Sequence, residues 1–203
     1  MGLHRQGGST RIAIVPSHKP APLEELLAFA QGYAEFAMRD LGHVPPALLG
    51  QSPTGLIRFV ARGFKDGRAK DDFANAPRLV CGGYAATAAV MVLEPWMKVA
   101  QPGEKLDMSE PPSEAFDRCE VVVLTGETAK YVQQRLLPIS RTDAGGFFGL
   151  AEHAGQEFDH FEGRFAQMLP SKPPNAEARK LARAMLAAMG VTLERLRGNA
   201  GWN

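Results

Sequence analysis

Residues 118–125 have the sequence RCEVVVLT and give the clearest β-strand signal in the chain. Their centre is a run of β-branched and aliphatic residues, which fit a pleated and half-buried surface. The connector 126–133 leads to a second strand-like segment, 135–141, and the glycine-rich turn 143–146 leads to a third, 147–150. Short turns of this kind join antiparallel neighbours. The three segments therefore predict an antiparallel meander.

Two more strand signals lie upstream of this meander. Residues 87–99 form one long apolar segment that is continuously hydrophobic over 88–93, which predicts burial on both faces of a sheet. Pro95 interrupts its second half and marks an edge or the exit of the strand. The turn sequence Ser52-Pro53-Thr54-Gly55 separates residues 47–51 from 56–61, and its proline and glycine positions are typical of a type I turn. A hairpin is expected there.

Helical periodicity marks three further segments. The first begins at Pro22, which suits the first helical position, and ends at Gly42. Its apolar residues lie on one side of the helical wheel at Leu23, Leu26, Leu27, Ala30, Ala34, Ala37 and Leu41. The second begins at Asp71 or Asp72 and ends near Gly82, although Pro77 inside it argues against a regular helix. The third follows Asn175, a favourable N-cap residue, and ends at Gly190.

These elements predict an α+β fold in which a helix, a hairpin and a second helix are followed by three or four antiparallel strands and a last helix. Counting three strands after the second helix, we expect an antiparallel five-stranded sheet with helices packed on it, in the order α-β-β-α-β-β-β-α. This order resembles profilin-like and roadblock-type domains, and the resemblance implies helices on both faces of the sheet. With 203 residues and 45% hydrophobic content, the chain is long enough for one sizeable core. We expect a flexible segment over 1–20, a single domain over 21–194 and a flexible tail over 195–203.

The composition of the chain indicates which kinds of partner and which cellular compartment to expect. Lys and Arg total 23 and Asp and Glu total 22, a balance that gives no strong nucleic-acid signature. Cys81 and Cys119 are the only cysteines and have apolar neighbours, which is typical of buried thiols in a reducing compartment. The first ten residues lack the apolar core of a signal peptide, and no apolar run is long enough to span a membrane. A cytoplasmic protein is expected.

One set of polar residues is a candidate binding site. If the segments 87–99, 118–125 and 135–141 are neighbours, one end of the sheet gathers two carboxylates, two arginines and a tryptophan: Glu94, Trp96, Arg118, Glu120 and Arg141. Such a set suits an anionic or planar ligand, or a protein partner. The alternative explanation is a group of cross-strand ion pairs on a solvated patch, and charge pairs are common enough on sheet faces to favour it.

A second cluster contains His153, Glu157 and His160, together with Glu152, Asp159 and Glu162. Imidazole and carboxylate are ligands for zinc or manganese. The spacing matches no zinc hydrolase signature, in which two histidines lie one helical turn apart around a glutamate. A polar surface loop is therefore the favoured explanation, and we expect neither a metal nor another cofactor.

No catalytic signature is present, so we expect a non-enzymatic interaction protein that binds a protein partner or itself. A homodimer is expected through Trp96, Met97, Phe147 and Phe148. The alternative is a small enzyme built on one of the two clusters, with no reaction identified. Segments 42–46, 92–97, 111–118 and 122–127 resemble uncharacterised bacterial and phage proteins, which implies a bacterial or mobile-element origin and no particular activity.

Overall fold

The computed structural model describes residues 11–15, 23–61, 67–98, 110–151 and 167–195. Its helices are α1 (Leu23–Leu41), α2 (Gly67–Gly83) and α3 (Ala176–Ala188). Its strands are β1 (Arg11–Val15), β2 (Ala47–Ser52), β3 (Gly55–Val60), β4 (Ala88–Leu93), β5 (Trp96–Met97), β6 (Cys119–Thr128), β7 (Val132–Arg141), β8 (Phe147–Leu150) and β9 (Thr192–Arg195). No helix in these ranges is both long and apolar enough to cross a membrane.

The strands form one mostly antiparallel sheet in the order β8-β7-β6-β4-β2-β3-β1-β9, and the short β5 pairs with β6 beside this path. The pairing is antiparallel from β8 to β1, and β9 adds to β1 in parallel. The predicted α+β class is confirmed, as are the 47–61 hairpin and the meander. The five-strand count and the element order are wrong, because the sheet contains additional strands.

Two of the additional strands, β1 and β9, lie in parts of the chain with little sequence pattern typical of a strand. β1 falls inside the predicted flexible segment 1–20, yet every one of its residues is paired with β3. Its partners are more than forty positions away along the chain, so the hydrogen bonds that hold β1 have no local signature. β9 begins inside the predicted domain and ends at Arg195, the first residue of the predicted tail. The predicted bounds of the domain and of the two flexible segments stay predictions.

Several element ends also differ from the prediction. The expected strand 87–99 is interrupted at Glu94-Pro95, so β4 and β5 are separate strands. β6 continues through Gly126 to Thr128, and β7 begins at Val132, which shortens the predicted connector to a tight turn. α2 begins at Gly67 and accommodates Pro77 in its interior. Asn175 caps α3 as predicted, because its side-chain oxygen accepts a hydrogen bond from the Ala178 N–H at 2.8 Å.

α1 covers one face of the sheet. Its apolar side packs on alternate residues of β2, β4 and β6, among them Leu49, Val90 and Leu124, all of them fully buried. Gly126 on β6 lies directly beneath the helix, since a Cβ there would come within 3.1 Å of Leu23 and 3.2 Å of Leu27. The glycine therefore permits the close approach of α1 to the sheet.

α2 and α3 cover the opposite face. Leu48 of β2, Ile57 of β3 and Met91 of β4 point there and belong to the same buried cluster as Val80 and Cys81 of α2. α3 lies against α2, where a Cβ at Gly83 would be 3.1 Å from the Arg183 side chain. The result is a three-layer arrangement of helix, sheet and helices, which explains why β4 is apolar at every position.

Candidate functional site

Strand pairing brings the central residues of the predicted binding site together. After the break at Pro95, β5 runs antiparallel to the start of β6 and places Trp96 directly opposite Glu120. Opposite residues in an antiparallel pair project to the same side, and Arg118 shares that side because it lies two positions before Glu120. One face at this end of the sheet therefore carries all three side chains.

Arg118 stacks on the indole of Trp96. Its guanidinium carbon lies 4.4 Å from the ring centroid, well inside the range of a cation–π interaction. The same guanidinium donates a hydrogen bond to the backbone carbonyl of Ser113. Trp96 nevertheless keeps 39% of its surface exposed, so the stacked pair forms part of the outer surface.

Glu120 extends the site to β7 through an ion pair with Arg141. Nε of Arg141 donates to Oε2 of Glu120 at 2.7 Å, and Nη2 donates to the same oxygen at 2.5 Å. Nη1 also donates to the carbonyl of Gly145 in the following turn, at 3.4 Å. This contact is a cross-strand ion pair of the kind that the sequence analysis gave as the alternative explanation for the set. We refer to Trp96, Arg118, Glu120 and Arg141 as the tryptophan–arginine row.

Glu94, the fifth predicted member, has a different partner. Its carboxylate accepts a hydrogen bond from the backbone N–H of Val44, in the segment that leads from α1 into β2. This contact ties the end of β4 to the start of the neighbouring strand. A structural role accounts for Glu94, and we leave it out of the row.

Two exposed phenylalanines lie at the same end of the sheet as the row. Phe116 is fully exposed in the turn before β6, and Phe148 is largely exposed on β8. β8 begins beside the end of β7, where Arg141 pairs with Phe147. Sequence analysis singled out Phe148 but not Phe116, which precedes a strand and has no local signal of exposure.

The second predicted cluster, His153, Glu157 and His160, lies outside the described residues. Within the described ranges, no three His, Cys, Asp or Glu side chains come together as candidate metal ligands. The prediction that the protein needs no metal stays a prediction.

Sequence analysis missed Glu127, which is buried with 8% of its surface exposed. Its two carboxylate oxygens accept hydrogen bonds from the backbone N–H groups of Met168, at 2.7 Å, and Leu169, at 3.2 Å. The residue was assigned to a connector, although its position two residues after Thr125 continues the alternation of β6. A carboxylate paired with two backbone donors fixes the segment that enters α3 against the sheet.

Both cysteines are free thiols, and Cys81 is fully buried. Burial, with the negative charge of Glu127 as a second cause, raises the pKa of the Cys81 thiol. Cys81 therefore stays protonated and acts as a small apolar residue of the core, as the sequence predicts.

Comparison of the chain with models of protein families, with curated proteins and with solved structures gave no significant match. The cytoplasmic location and the bacterial or mobile-element origin stay predictions. The row described above is therefore interpreted from its own geometry.

The Glu120–Arg141 ion pair makes a testable contribution to stability. The arginine side chain is 34% exposed and the glutamate side chain 24%, so solvent screens their attraction. We expect Glu120→Ala and Arg141→Ala each to lower the free energy of unfolding by less than about 1 kcal/mol. The double variant should lose less than the sum, because the partners share one interaction. Urea unfolding of the four proteins measures this, and strict additivity would contradict the contact.

Proposed function

We propose that the protein is a non-enzymatic binding protein that engages a protein partner through the tryptophan–arginine row. The observation that carries the proposal is the stacking of Arg118 on a Trp96 ring that remains 39% exposed. Tryptophan and arginine are the residue types that most often dominate the energy of protein interfaces.

The geometry lowers the conformational cost of binding. Ordering a long side chain at an interface costs about 0.5–1.5 kcal/mol. Here the Arg118 guanidinium is already held by the indole and by the Ser113 carbonyl, and Arg141 is already held by Glu120. A partner therefore meets a surface whose charged groups are fixed before contact. Such preorganisation favours affinity and specificity without any chemical step.

One exposed aromatic residue near the row adds apolar area. Phe116 is fully exposed in the turn before β6, two residues from Arg118. Phe148 is exposed at the same end of the sheet, but Phe147 is the residue that pairs with Arg141, so Phe148 does not share the side of the row. Grouped exposed apolar residues with a polar surround are typical of interaction sites. The row would supply orientation through its charges, and Trp96 and Phe116 would supply apolar area.

Selection from a displayed library of short random peptides tests the proposal. We expect peptides selected on the wild-type protein to lose at least about tenfold in affinity for Trp96→Ala and for Arg118→Ala, a difference of about 1.4 kcal/mol. Binding is measured by biolayer interferometry with purified proteins. Thermal unfolding of each variant establishes that the loss does not come from unfolding.

Tyr131→Ala is the matched control for Trp96→Ala. Tyr131 is an aromatic residue with 52% exposure, and it lies in the β6–β7 turn at the opposite end of β6 from Glu120. Its removal should leave peptide affinity unchanged. Peptides that bind all three variants equally, or a selection that yields no binders at all, would contradict the proposal.

A further inference from the structure

Arg118 is the member of the tryptophan–arginine row whose charge no described carboxylate balances. Glu120 and Arg141 neutralise each other through their ion pair. In the described ranges no carboxylate lies within ion-pair distance of the Arg118 guanidinium, whose hydrogen bond goes to the neutral carbonyl of Ser113. Since Arg118 is an exposed residue, the row presents an uncompensated positive charge to solvent.

The stacking on Trp96 leaves the edge of this guanidinium available. A cation–π contact uses the flat face of the group, whereas its N–H groups lie in the plane and point outward from its edge. Nη1 donates to the Ser113 carbonyl. The Nε and Nη2 groups of Arg118 have no acceptor in the part of the chain that the structure describes. Together they form the fork that holds a carboxylate through two parallel hydrogen bonds.

The backbone of Trp96 offers further polar groups beside this fork. Trp96 lies opposite Glu120, and the Val121 N–H donates to the Pro95 carbonyl at 3.4 Å. Because this bond flanks the pair, Trp96 and Glu120 form a non-hydrogen-bonded pair, and the N–H and C=O of Trp96 point away from β6. Neither group has a hydrogen-bond partner among the described residues. They form a short sheet edge of the kind that an extended peptide can join.

Strand β2 does not extend far enough to pair with this edge. Its pairing with β4 begins at Ala47, opposite Val92, whereas β5 begins at Trp96. The segment before β2 is held toward α1, where the Pro45 carbonyl accepts a hydrogen bond from the Tyr33 hydroxyl at 3.1 Å. A strand from another chain is therefore the arrangement that would pair the outward groups of Trp96.

We propose that the row binds an extended acidic segment of a protein partner, which adds to β5 as a strand and places an aspartate or glutamate carboxylate on the Arg118 fork. This partner chemistry rests on the proposed function of the row. The partner residue opposite Trp96 forms both backbone hydrogen bonds, and its side chain projects to the same side as the indole. The backbone bonds supply affinity, and the complementary charge on the fork supplies the preference for an acid.

Peptides selected on the wild-type protein from the displayed random library test the charge. We expect them to share an aspartate or glutamate, and its replacement by asparagine or glutamine in a synthetic peptide to lower affinity at least about tenfold. Each synthetic peptide has an amidated C-terminus, so any carboxylate it carries belongs to a side chain. On Arg118→Gln the same replacement should change affinity less than about twofold, because the fork is missing.

Arg183→Gln is the matched control for Arg118→Gln. Arg183 is also an exposed arginine, but it lies on α3, which packs against α2. Its replacement should leave both the affinity and the preference for an acid unchanged. Arg118→Lys keeps the positive charge without the fork and should lose at least about fivefold in affinity. Thermal unfolding of each variant establishes that the protein is folded.

Backbone N-methylation of the selected peptides tests the added strand. Methylating the amide of the acidic residue removes the donor that meets the Trp96 carbonyl and should lower affinity about fivefold, the effect of one lost hydrogen bond. The amide of the next peptide residue points away from β5, so its methylation is the control and should change affinity less than about twofold. Equal effects of the two methylations would overturn the strand addition.

The results distinguish this inference from the proposed function. Peptides that depend on Trp96 but carry no acidic residue, that lose binding only when the C-terminus is amidated, or whose acid-to-amide replacement has the same effect on wild type and Arg118→Gln would overturn the acidic partner. The proposed function would then stand. A selection that yields no peptide dependent on Trp96 would overturn the proposed function, and the acidic partner with it.

Discussion

Replacing Glu127 with alanine is expected to lower the free energy of unfolding by about 3 kcal/mol, since it leaves one buried and one partly buried backbone donor without an acceptor. The carboxylate accepts hydrogen bonds from the Met168 and Leu169 N–H groups in the segment that precedes α3, and only 8% of Glu127 is exposed. Water cannot replace the lost acceptor without opening the contact between this segment and the sheet. Urea unfolding of wild type and variant measures the difference.

Glu127→Gln separates hydrogen bonding from volume. The amide keeps one acceptor oxygen and fills the same space, so we expect a smaller loss of about 1–2 kcal/mol. Amide hydrogen exchange gives a local readout, because the Met168 and Leu169 N–H groups should lose protection in the alanine variant. Glu114→Ala removes an exposed carboxylate and serves as the control, with a change below about 0.5 kcal/mol. Unchanged protection of the two amides in Glu127→Ala would contradict the assigned role.

The second large effect is a loss of stability at alkaline pH that depends on Tyr33. The ring is buried in the α1 core, and its hydroxyl donates to the Pro45 carbonyl at 3.1 Å. Burial raises the pKa of Tyr33 from 10.0 to about 12, against a smaller lowering by the positive charge of Arg58. The folded protein therefore holds the phenolic proton more tightly than the unfolded chain does.

The sign of the effect follows from linkage. A raised pKa in the folded state gives a contribution that is complete below the unfolded pKa of 10 and is lost as pH rises through about 12. One pKa unit corresponds to about 1.4 kcal/mol, so the stability advantage of wild type over Tyr33→Phe should fall by about that amount between pH 8 and pH 11. Urea unfolding at the two pH values measures it. Parallel changes in the two proteins would show that Tyr33 is not responsible.

Local sequence patterns were sufficient to predict the elements whose periodicity, caps or turn residues lie within the element itself. Apolar periodicity and the flanking Pro22 and Gly42 predicted α1, and Asn175 with Gly190 marked the ends of α3. The turn at 52–55 predicted the β2–β3 hairpin. Within the candidate site, the alternation of a strand predicted that Arg118 and Glu120 share one side, and the expected adjacency of the strands gathered Glu120 and Arg141 at one end of the sheet.

Elements and contacts whose stability comes from distant residues were predicted less well. β1 is five residues long and is held by β3 and β9, which lie far along the chain. Pro77 argues against a helix, yet packing of α2 on the sheet outweighs the lost backbone bond. Glu94 lies two positions before Trp96, which made it a candidate site residue. Only the structure shows that its carboxylate accepts a hydrogen bond from the Val44 N–H, in the segment before β2.

Short-range periodicity and capping were enough to predict the α+β class, the antiparallel meander and the helices at 23–41 and 176–188. Three features could be seen only in the folded chain: the stacking of Arg118 on Trp96, the hydrogen bonds of Glu127 to the segment before α3, and the exposure of Leu181, Met185 and Met189. Periodicity shows which residues share a side of an element but not what that side meets. Hydrogen bonds and burial depend on groups brought together from distant parts of the chain, and those meetings are set by the fold as a whole.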